Sequence, residues 1–330
     1  MENQIDFLAI GDIVTDAFIK LKDAEAHCDL DSANCKLCVR FGDKVPYESM
    51  QEVRAVGNSA NAAVAAARLG LKSSLLAHVG NDLHGTEAIE ELKKNHVDTH
   101  YVYKHDNIPT NYHYVLWYGV ERTILVKHAA FPVMMPSIPV GPKMIYLSSL
   151  GDHTEKYHQE IASYVIAHPE TKLVFQPGTF QIKLGTEVLK DIYMHSFAFF
   201  CNLEEAKKIL NTQEKEIPML IKALHALGPK HVFITDGING AYASNGSEAW
   251  FMPVYPHDPF ERTGAGDAFA STVSAALLMG KTIPEALMWG PVNSMSVVQY
   301  VGAQEGLLGV EKIEQYVKNA PGSYAPRPLF

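Results

Sequence analysis

The sequence predicts an α/β fold in which βαβ units build a mostly parallel sheet. Three observations predict it. Short, continuous apolar runs recur along the 330 residues. Helical segments separate them, and glycine closes many of both kinds. Strands covered on both faces read as unbroken apolar runs, and their alternation with helices implies crossovers between parallel neighbours.

The elements follow in chain order. Phe7-Leu8-Ala9-Ile10 is a buried-strand run ending at Gly11. Asn61 to Leu69 is an Ala-rich helix closed by Gly70, and Ser74 to Val79 is a second strand closed by Gly80. A helix over His84 to Asn95 comes next. Met144 to Leu147, Leu173 to Phe175, Ala198 to Phe200 and His231 to Ile234 continue the strand series. Thr154 to Ala167 and Gln213 to Leu227 supply helices between them, the second ending at Gly228. Two long helices, Ala265 to Leu278 and Pro284 to Gln299, occupy the C-terminal third.

Two segments break this rhythm. Asp16 to Val53 is charged and partly β-like, as in Lys36-Leu37-Cys38-Val39-Arg40-Phe41. Tyr112 to Lys127 reads as two strands, Tyr112–Tyr118 and Arg122–Val126, turning near Gly119-Val120-Glu121. Structureless loops of that length are unusual in a compact domain. Both segments are expected to form a small extra sheet, serving either as a lid or as a plain surface hairpin. The whole chain, 1–330, is expected to be one large α/β domain.

Composition narrows the function classes. With 47% hydrophobic and 20% charged residues the chain reads as an ordinary globular protein. A net charge of -9 argues against a general nucleic-acid binder, which needs a basic surface. Met1 to Asp6 carries two acids and no Lys or Arg, unlike a secretory signal, and no apolar run reaches membrane-span length. A cytoplasmic location is the expectation. Cys28, Cys35 and Cys38 cluster beside His27, away from Cys201. A CxxC with a third Cys and a His is compatible with zinc, but no second pair accompanies it, and free thiols are the plainer reading.

The chemistry concentrates in Thr263-Gly264-Ala265-Gly266-Asp267-Ala268-Phe269. Small residues precede an apolar helix, whose first turn offers free amides and the positive dipole end. Small residues let a phosphate approach the backbone, and an acid at the same helix start can take a proton from an attacking hydroxyl. A helix start with a favourable first-turn Asp is the plain alternative. Neither a Walker A loop nor a dinucleotide fingerprint occurs.

This stretch resembles the C-terminal signature DTxGAGD of the ribokinase-like (PfkB-type) carbohydrate kinases. Val56-Gly57-Asn58-Ser59-Ala60-Asn61, then Ala66-Ala67-Arg68-Leu69-Gly70 and Val79-Gly80-Asn81-Asp82, is similar to that family's N-terminal signature. The two lie about 200 residues apart in the expected order. The resemblance implies a ribokinase-like three-layer α/β/α fold with a mostly parallel central sheet and a small β lid. It implies a phosphotransferase using ATP and Mg²⁺ on a hydroxyl of a sugar or sugar-like molecule. Asp267 would be the general base, and the amides of Gly264, Ala265 and Gly266 the anion hole. Asp16, Gly57 and Asn61 would bind substrate. Asn202 and Glu205, in Asn202-Leu203-Glu204-Glu205, would serve the nucleotide and, through water, Mg²⁺; a helix N-cap is the alternative there. Thr235, Gly237 and Gly240 match a turn beside the nucleotide, and Asn293 matches an Asn near adenine or else sits on an exposed helix face.

Departures from the pattern matter too. Val56 replaces the first glycine of a Gly-Gly pair, so sugar identity does not carry over. Glu261 and Arg262 replace the leading Asp-Thr, which puts monovalent-cation activation in doubt and places a cation, Arg262, where it can meet phosphate. Phe175-Gln176-Pro177-Gly178 holds no cluster for a phosphorylated sugar. The resemblance also suggests a homodimer through the lid, with Tyr114, Leu116 and Trp117 as its apolar residues. A nucleoside kinase, with Tyr112 or Tyr114 stacked on a base, and a non-catalytic ligand-binding relative are the alternative readings.

Overall fold

The computed structural model describes residues 4–28, 35–119 and 121–329. Strand β1 (Phe7–Ile10) is wholly buried and leads to β2 (Val14–Leu21). A short hairpin, β3 (Glu25–Cys28) and β4 (Cys35–Cys38), precedes the long β5 (Tyr47–Val56). Helix α1 (Asn58–Arg68), β6 (Ser73–Gly80), α2 (Leu83–Lys94) and β7 (Val102–His105) follow. Strands β8 (Asn111–Tyr118) and β9 (Glu121–Leu125) form a second hairpin. Then come β10 (Met144–Leu147), α3 (Glu155–Ala167), β11 (Lys172–Phe175), α4 (Thr179–Leu184) and α5 (Lys190–Met194). The second half begins with β12 (Ser196–Asn202), α6 (Leu203–Ile209), α7 (Ile217–Ala226), β13 (His231–Thr235), β14 (Ala241–Ser244) and β15 (Ala249–Met252). Helices α8 (Ala265–Leu278), α9 (Ile283–Val297) and α10 (Val310–Lys318), with the short β16 (Arg327–Pro328), complete it.

One 10-stranded sheet has the order β16-β15-β14-β13-β12-β11-β10-β1-β6-β7. Every pairing from β13 to β7 is parallel, as the continuous apolar runs require. Strands β14, β15 and β16 add an antiparallel edge that the apolar-run pattern did not disclose. Two apolar clusters cover the two faces, one built around Ala-rich α1 and α8, the other around Leu8, Ile145, Phe175 and Phe199. Strand β1 lies between β10 and β6, so chain order reverses beside it, and the crevice outside the strand ends opens there.

The second sheet has the order β5-β2-β8-β9. Its alternation sets its faces. Asp16 pairs with His113, Phe18 with Val115 and Lys20 with Trp117, all inward, while Tyr114 and Leu116 take the other face. This corrects one expectation: Trp117 is 7% exposed and packs edge-on against Phe260, so it lies inside the lid and not on an outer dimer face. A second correction concerns Lys36 to Phe41. The strand there stops at Cys38 and pairs only with β3, so it forms a separate two-stranded hairpin. Cys28 and Cys35 face each other across that hairpin and form a disulfide; Cys38 and Cys201 are free. The free-thiol reading therefore fails for the first pair. No group of three metal-ligating side chains is present among the described residues. Val120, part of the expected β8–β9 turn, lies outside the described residues. Helix α7 starts at Ile217, later than expected, because Pro218 suits a first-turn position and Gln213–Glu216 stay irregular.

Candidate active site

A cavity of about 530 Å³ opens at the carboxyl ends of the parallel strands. Asp12 follows β1, Ser149 follows β10, Gln176 follows β11, Asn202 ends β12 and Thr235 ends β13, and all line it. That volume suits a small substrate with part of a nucleotide. The lid sheet contributes the inward residues Asp16, His113 and Arg122.

Helix α8 supplies the cavity floor. Its N-cap, Gly264, has φ 79, a left-handed conformation that favours glycine. No side chain caps the helix, so its first-turn amides are left for a ligand. Ala303 presses on Gly264 so closely that a Cβ there would fall 2.3 Å from the Ala303 Cβ. The glycine thus serves both the turn and the close approach of residues 302–308. Just upstream, Glu261 is buried and its Oε1 accepts from the Thr263 amide at 2.8 Å and the Thr263 hydroxyl at 2.5 Å. The Glu that replaces the signature Asp therefore ties down the loop leading into α8.

Asp267 sits in the first turn of α8 with its carboxylate held by amides. Asn58 Nδ2 donates to Oδ1 at 3.0 Å, Asn61 Nδ2 to Oδ2 at 2.8 Å, and Gln176 Nε2 to Oδ1 at 3.3 Å. Asn58 and Asn61 are three positions apart on α1 and so share a face, and Ala-rich packing of α1 on α8 brings that face to the acid. Burial raises the Asp267 carboxyl above its ordinary value. The bonds from Asn61 and Gln176, the Arg122 charge and the bond from Asn58 pull it back without cancelling the rise.

The acids Asp12 and Asp16 stand on the sheet-and-lid side of the cavity. Asp12 Oδ2 lies 2.9 Å from His128 Nδ1, and Asp16 Oδ1 lies 3.5 Å from His113 Nδ1. The rings of His113 and His128 meet edge-on at 5.3 Å. Asp16 Oδ1 and His113 Nε2 are buried without a hydrogen-bond partner in the protein, whereas the buried Asp12 Oδ2 has the His128 ring nitrogen beside it. A group left so is a place for a ligand hydroxyl, because an unmet buried polar atom costs about 1–3 kcal/mol.

At the other end, Asn202 and Glu205 form a reciprocal capping box on α6: Glu205 N donates to Asn202 Oδ1 and Asn202 N to Glu205 Oε2, each at 2.8 Å. Both also line the cavity, so the cap and the site use the same pair. Burial raises the Glu205 carboxyl, and the nearby Asp267 charge raises it further. A carboxylate whose charge is disfavoured by burial at the cavity wall is a fitting place for a divalent cation held mainly by water and phosphate.

The two arginines divide their tasks. Arg262 is half-exposed and pairs with Glu121 of the lid at 2.9 Å. Arg122, inward on β9, lies 3.9 Å from Glu261 and leaves its buried Nε without a partner. The lid tip and the loop before α8 therefore exchange charges in both directions.

Of the residues singled out in the sequence, Asp16, Gly57, Asn61, Asn202, Glu205, Thr235, Gly264, Ala265, Gly266 and Asp267 all line this cavity. Gly57 has φ 108 and caps α1. Gly237 and Gly240 flank a short turn beyond β13 and do not line it; Gly240 sits against the Met252 carbonyl. Asn293 does not line the cavity and is not exposed. It is wholly buried, donates to Thr272 Oγ1 at 2.7 Å and accepts from the Leu308 amide at 2.9 Å. The exposed-face reading of Asn293 thus gives way to a structural tie between α8, α9 and residues 302–308. The sequence reading missed Asp12, Asn58, His113, Arg122, His128 and, as an Asp267 partner, Gln176. Position after a buried parallel strand was an available signal for Asp12 and Gln176.

The model of the pfkB family carbohydrate kinases matches residues 23–308. The chain belongs to that family. This pfkB kinase is 28% identical over 282 residues to the ribokinase of Bacillus subtilis, covering 84% of this chain and 92% of that one. It is 24% identical to the fructoselysine 6-kinase of Escherichia coli, covering 78% and 94%. The pfkB kinase superposes on Arabidopsis thaliana ribokinase, solved with ribose and ATP, at a TM-score of 0.79, with 18% identity over 96% and 99% of the chains. A Methanocaldococcus jannaschii nucleoside kinase superposes equally, at 0.79 and 18% identity, with the same shares covered. The fold is therefore ribokinase-like, and fold alone does not choose the acceptor.

Proposed function

We propose that this pfkB kinase transfers the terminal phosphoryl group of ATP to a hydroxyl of an unphosphorylated sugar or sugar-like molecule, with Asp267 as the general base. The observation that carries this is Asp267 itself, an enclosed carboxylate beside the open first-turn amides of Gly264, Ala265 and Gly266. A hydroxyl bound between Asp12, Asp16 and Asp267 gives its proton to Asp267 as it attacks in line. The amides neutralise charge on the transferring group, and the lid excludes water that would hydrolyse ATP. Asn202 and Glu205 would hold Mg²⁺, which supplies charge neutralisation between the phosphates. Asp267 is needed ionised, so activity falls in acid as its raised pKa is crossed.

Two features favour an unphosphorylated sugar. Among the described cavity-lining residues the only Arg or Lys side chains are Arg122 and Arg262, and both face carboxylates. Tyr112 and Tyr114, the candidates for stacking on a base, do not line the cavity. Tyr112 donates to Glu52 at 2.6 Å, and Tyr114 is 49% exposed on the outer face. The reading extends to a homodimer through that outer face, where Met50, Tyr114 and Leu125 are exposed. Purified chain sedimenting only as monomer at micromolar concentration would remove this last part. It extends also to a cytoplasmic enzyme; no described helix is long and apolar enough to cross a membrane.

The deciding assay is ADP release with Mg-ATP across sugars, sugar acids and nucleosides, for wild type and Asp267→Asn. Turnover on a neutral sugar that collapses in the variant supports the reading. Turnover only on nucleosides, or an unaffected variant, overturns it.

A further inference from the structure

The amides around Asp267 work only in one orientation. An ionised carboxylate accepts hydrogen bonds and donates none, so each amide must turn its NH₂ toward it. An Asn or Gln rotated by half a turn would present a carbonyl oxygen instead, and repulsion would then favour the protonated acid.

Two residues outside the cavity lining set that orientation. Gln304 is 7% exposed, and its Nε2 donates to the Ala55 carbonyl at 2.7 Å and to Asn61 Oδ1 at 3.0 Å. The Ala55 carbonyl can only accept, so Gln304 cannot reverse. Asn61 must therefore show Gln304 its oxygen and Asp267 its NH₂. Gln304 is itself anchored: Arg68 Nη1 donates to its carbonyl at 2.7 Å and to the Leu307 carbonyl at 3.0 Å. On the other side, the hydroxyl of wholly buried Tyr146 donates to Gln176 Oε1, leaving Gln176 Nε2 for Asp267.

We propose that Gln304 and Tyr146 are positioning residues that lock the Asn61 and Gln176 amides toward Asp267 and so keep the base ionised and aimed. Arg68, in the Arg-Leu-Gly of the N-terminal signature, acts one step further back by holding the Gln304 backbone. The functional meaning rests on the reading of Asp267 as the base, while the orientation itself does not.

The test uses Gln304→Met and Tyr146→Phe in the full chain, with Tyr324→Phe as control. Tyr324 is a buried tyrosine whose hydroxyl donates to the Met288 carbonyl away from the cavity. Two readouts are taken: the acid limb of the kcat–pH profile, and the carboxyl titration of Asp267 by ¹³C NMR, assigned by its loss in Asp267→Asn. Losing one oriented donor should raise both midpoints by about one pH unit, the size of one charge-assisted hydrogen bond. Tyr324→Phe should leave both in place while lowering the melting temperature. Wild-type midpoints in Gln304→Met and Tyr146→Phe, whatever their stability, overturn the proposal. Tyr146→Phe removes a single oxygen and keeps the test open should Gln304→Met fold poorly. Wild-type turnover in Asp267→Asn would sink the reading of Asp267 as base, yet the carboxyl titration would still decide the orientation.

Discussion

Two glycines two positions apart should respond oppositely to the same substitution. At Gly264 an added methyl meets Ala303 Cβ at 2.3 Å and Ala303 Cα at 2.6 Å, with φ at +79. Ordinary contact begins near 3.4 Å, so the main chain around residue 303 must move by roughly 1 Å. Overpacking of this kind costs about 1–3 kcal/mol, and a left-handed alanine adds about 1–2. With an unfolding entropy of about 2.1 cal/mol/K per residue, 330 residues lose about 1.4 °C per kcal/mol. Gly264→Ala should therefore lower Tm by about 3–7 °C. At Gly266 a methyl meets nothing within 4 Å and the backbone is helical, so alanine should leave Tm unchanged or raise it slightly. Its methyl points into open space beside the free amides, and its effect should fall on kcat for phosphoryl transfer. Calorimetry and ADP release on both variants check this. Equal Tm for Gly264→Ala and wild type, or equal losses for the two variants, would refute the claim that Ala303 contact fixes the loop.

Other outcomes follow from the same structure. Asp267→Asn should cost about 10²–10⁴ in kcat while sugar affinity, measured by calorimetry, stays within a few-fold. Arg122→Met should lower kcat more than Arg262→Met and move the acid limb upward, because Arg122 is the cation that helps hold Asp267 ionised; equal effects would count against it. Asp82 caps α2 and accepts from Gly85 N, Thr110 N and Thr110 Oγ1. Burial alone would raise its carboxyl, but the Thr110 and Gly85 bonds outweigh that and depress it. Its contribution is thus full above about pH 4 and is lost as pH falls through the depressed value. Asp82→Ala should destabilise by about 1–2 kcal/mol at pH 7, and denaturant melts at lower pH should show the gap closing.

Much of the site was legible before folding because its residues sit in local motifs. Asp267 and the amides before it are three successive turns of logic in one stretch: small residues, a helix start, and an acid in its first turn. Asn202 and Glu205 close a capping box within a span of four residues. Local chemistry of this kind needs no partner from elsewhere. Asn293 shows the opposite case. A polar residue in an apolar helix can be exposed or tied to a buried neighbour, and only the packing of α9 shows Asn293 tied to Thr272 and Leu308.

Trp117 and Cys28 make the same point for the lid. The sequence reading grouped Tyr114, Leu116 and Trp117 on one dimer surface, but along β8 Trp117 faces the other way, and which face meets the cavity depends on pairing with β2. The cysteine spacing left zinc and thiols open, and the hairpin that sets Cys28 against Cys35 closed the question for that pair.

By itself, then, the order of apolar runs, helices and glycines determined a parallel α/β sheet, and two short signatures determined the helix-start acid and its amides. These are set by contacts within a few residues. Only the tertiary structure decided which side chains surround Asp267. Asn61, Gln176, Gln304 and Arg122 come from α1, the end of β11, the loop after α9 and the lid. Their meeting depends on sheet order and helix packing across more than 200 residues of chain, where no local propensity acts.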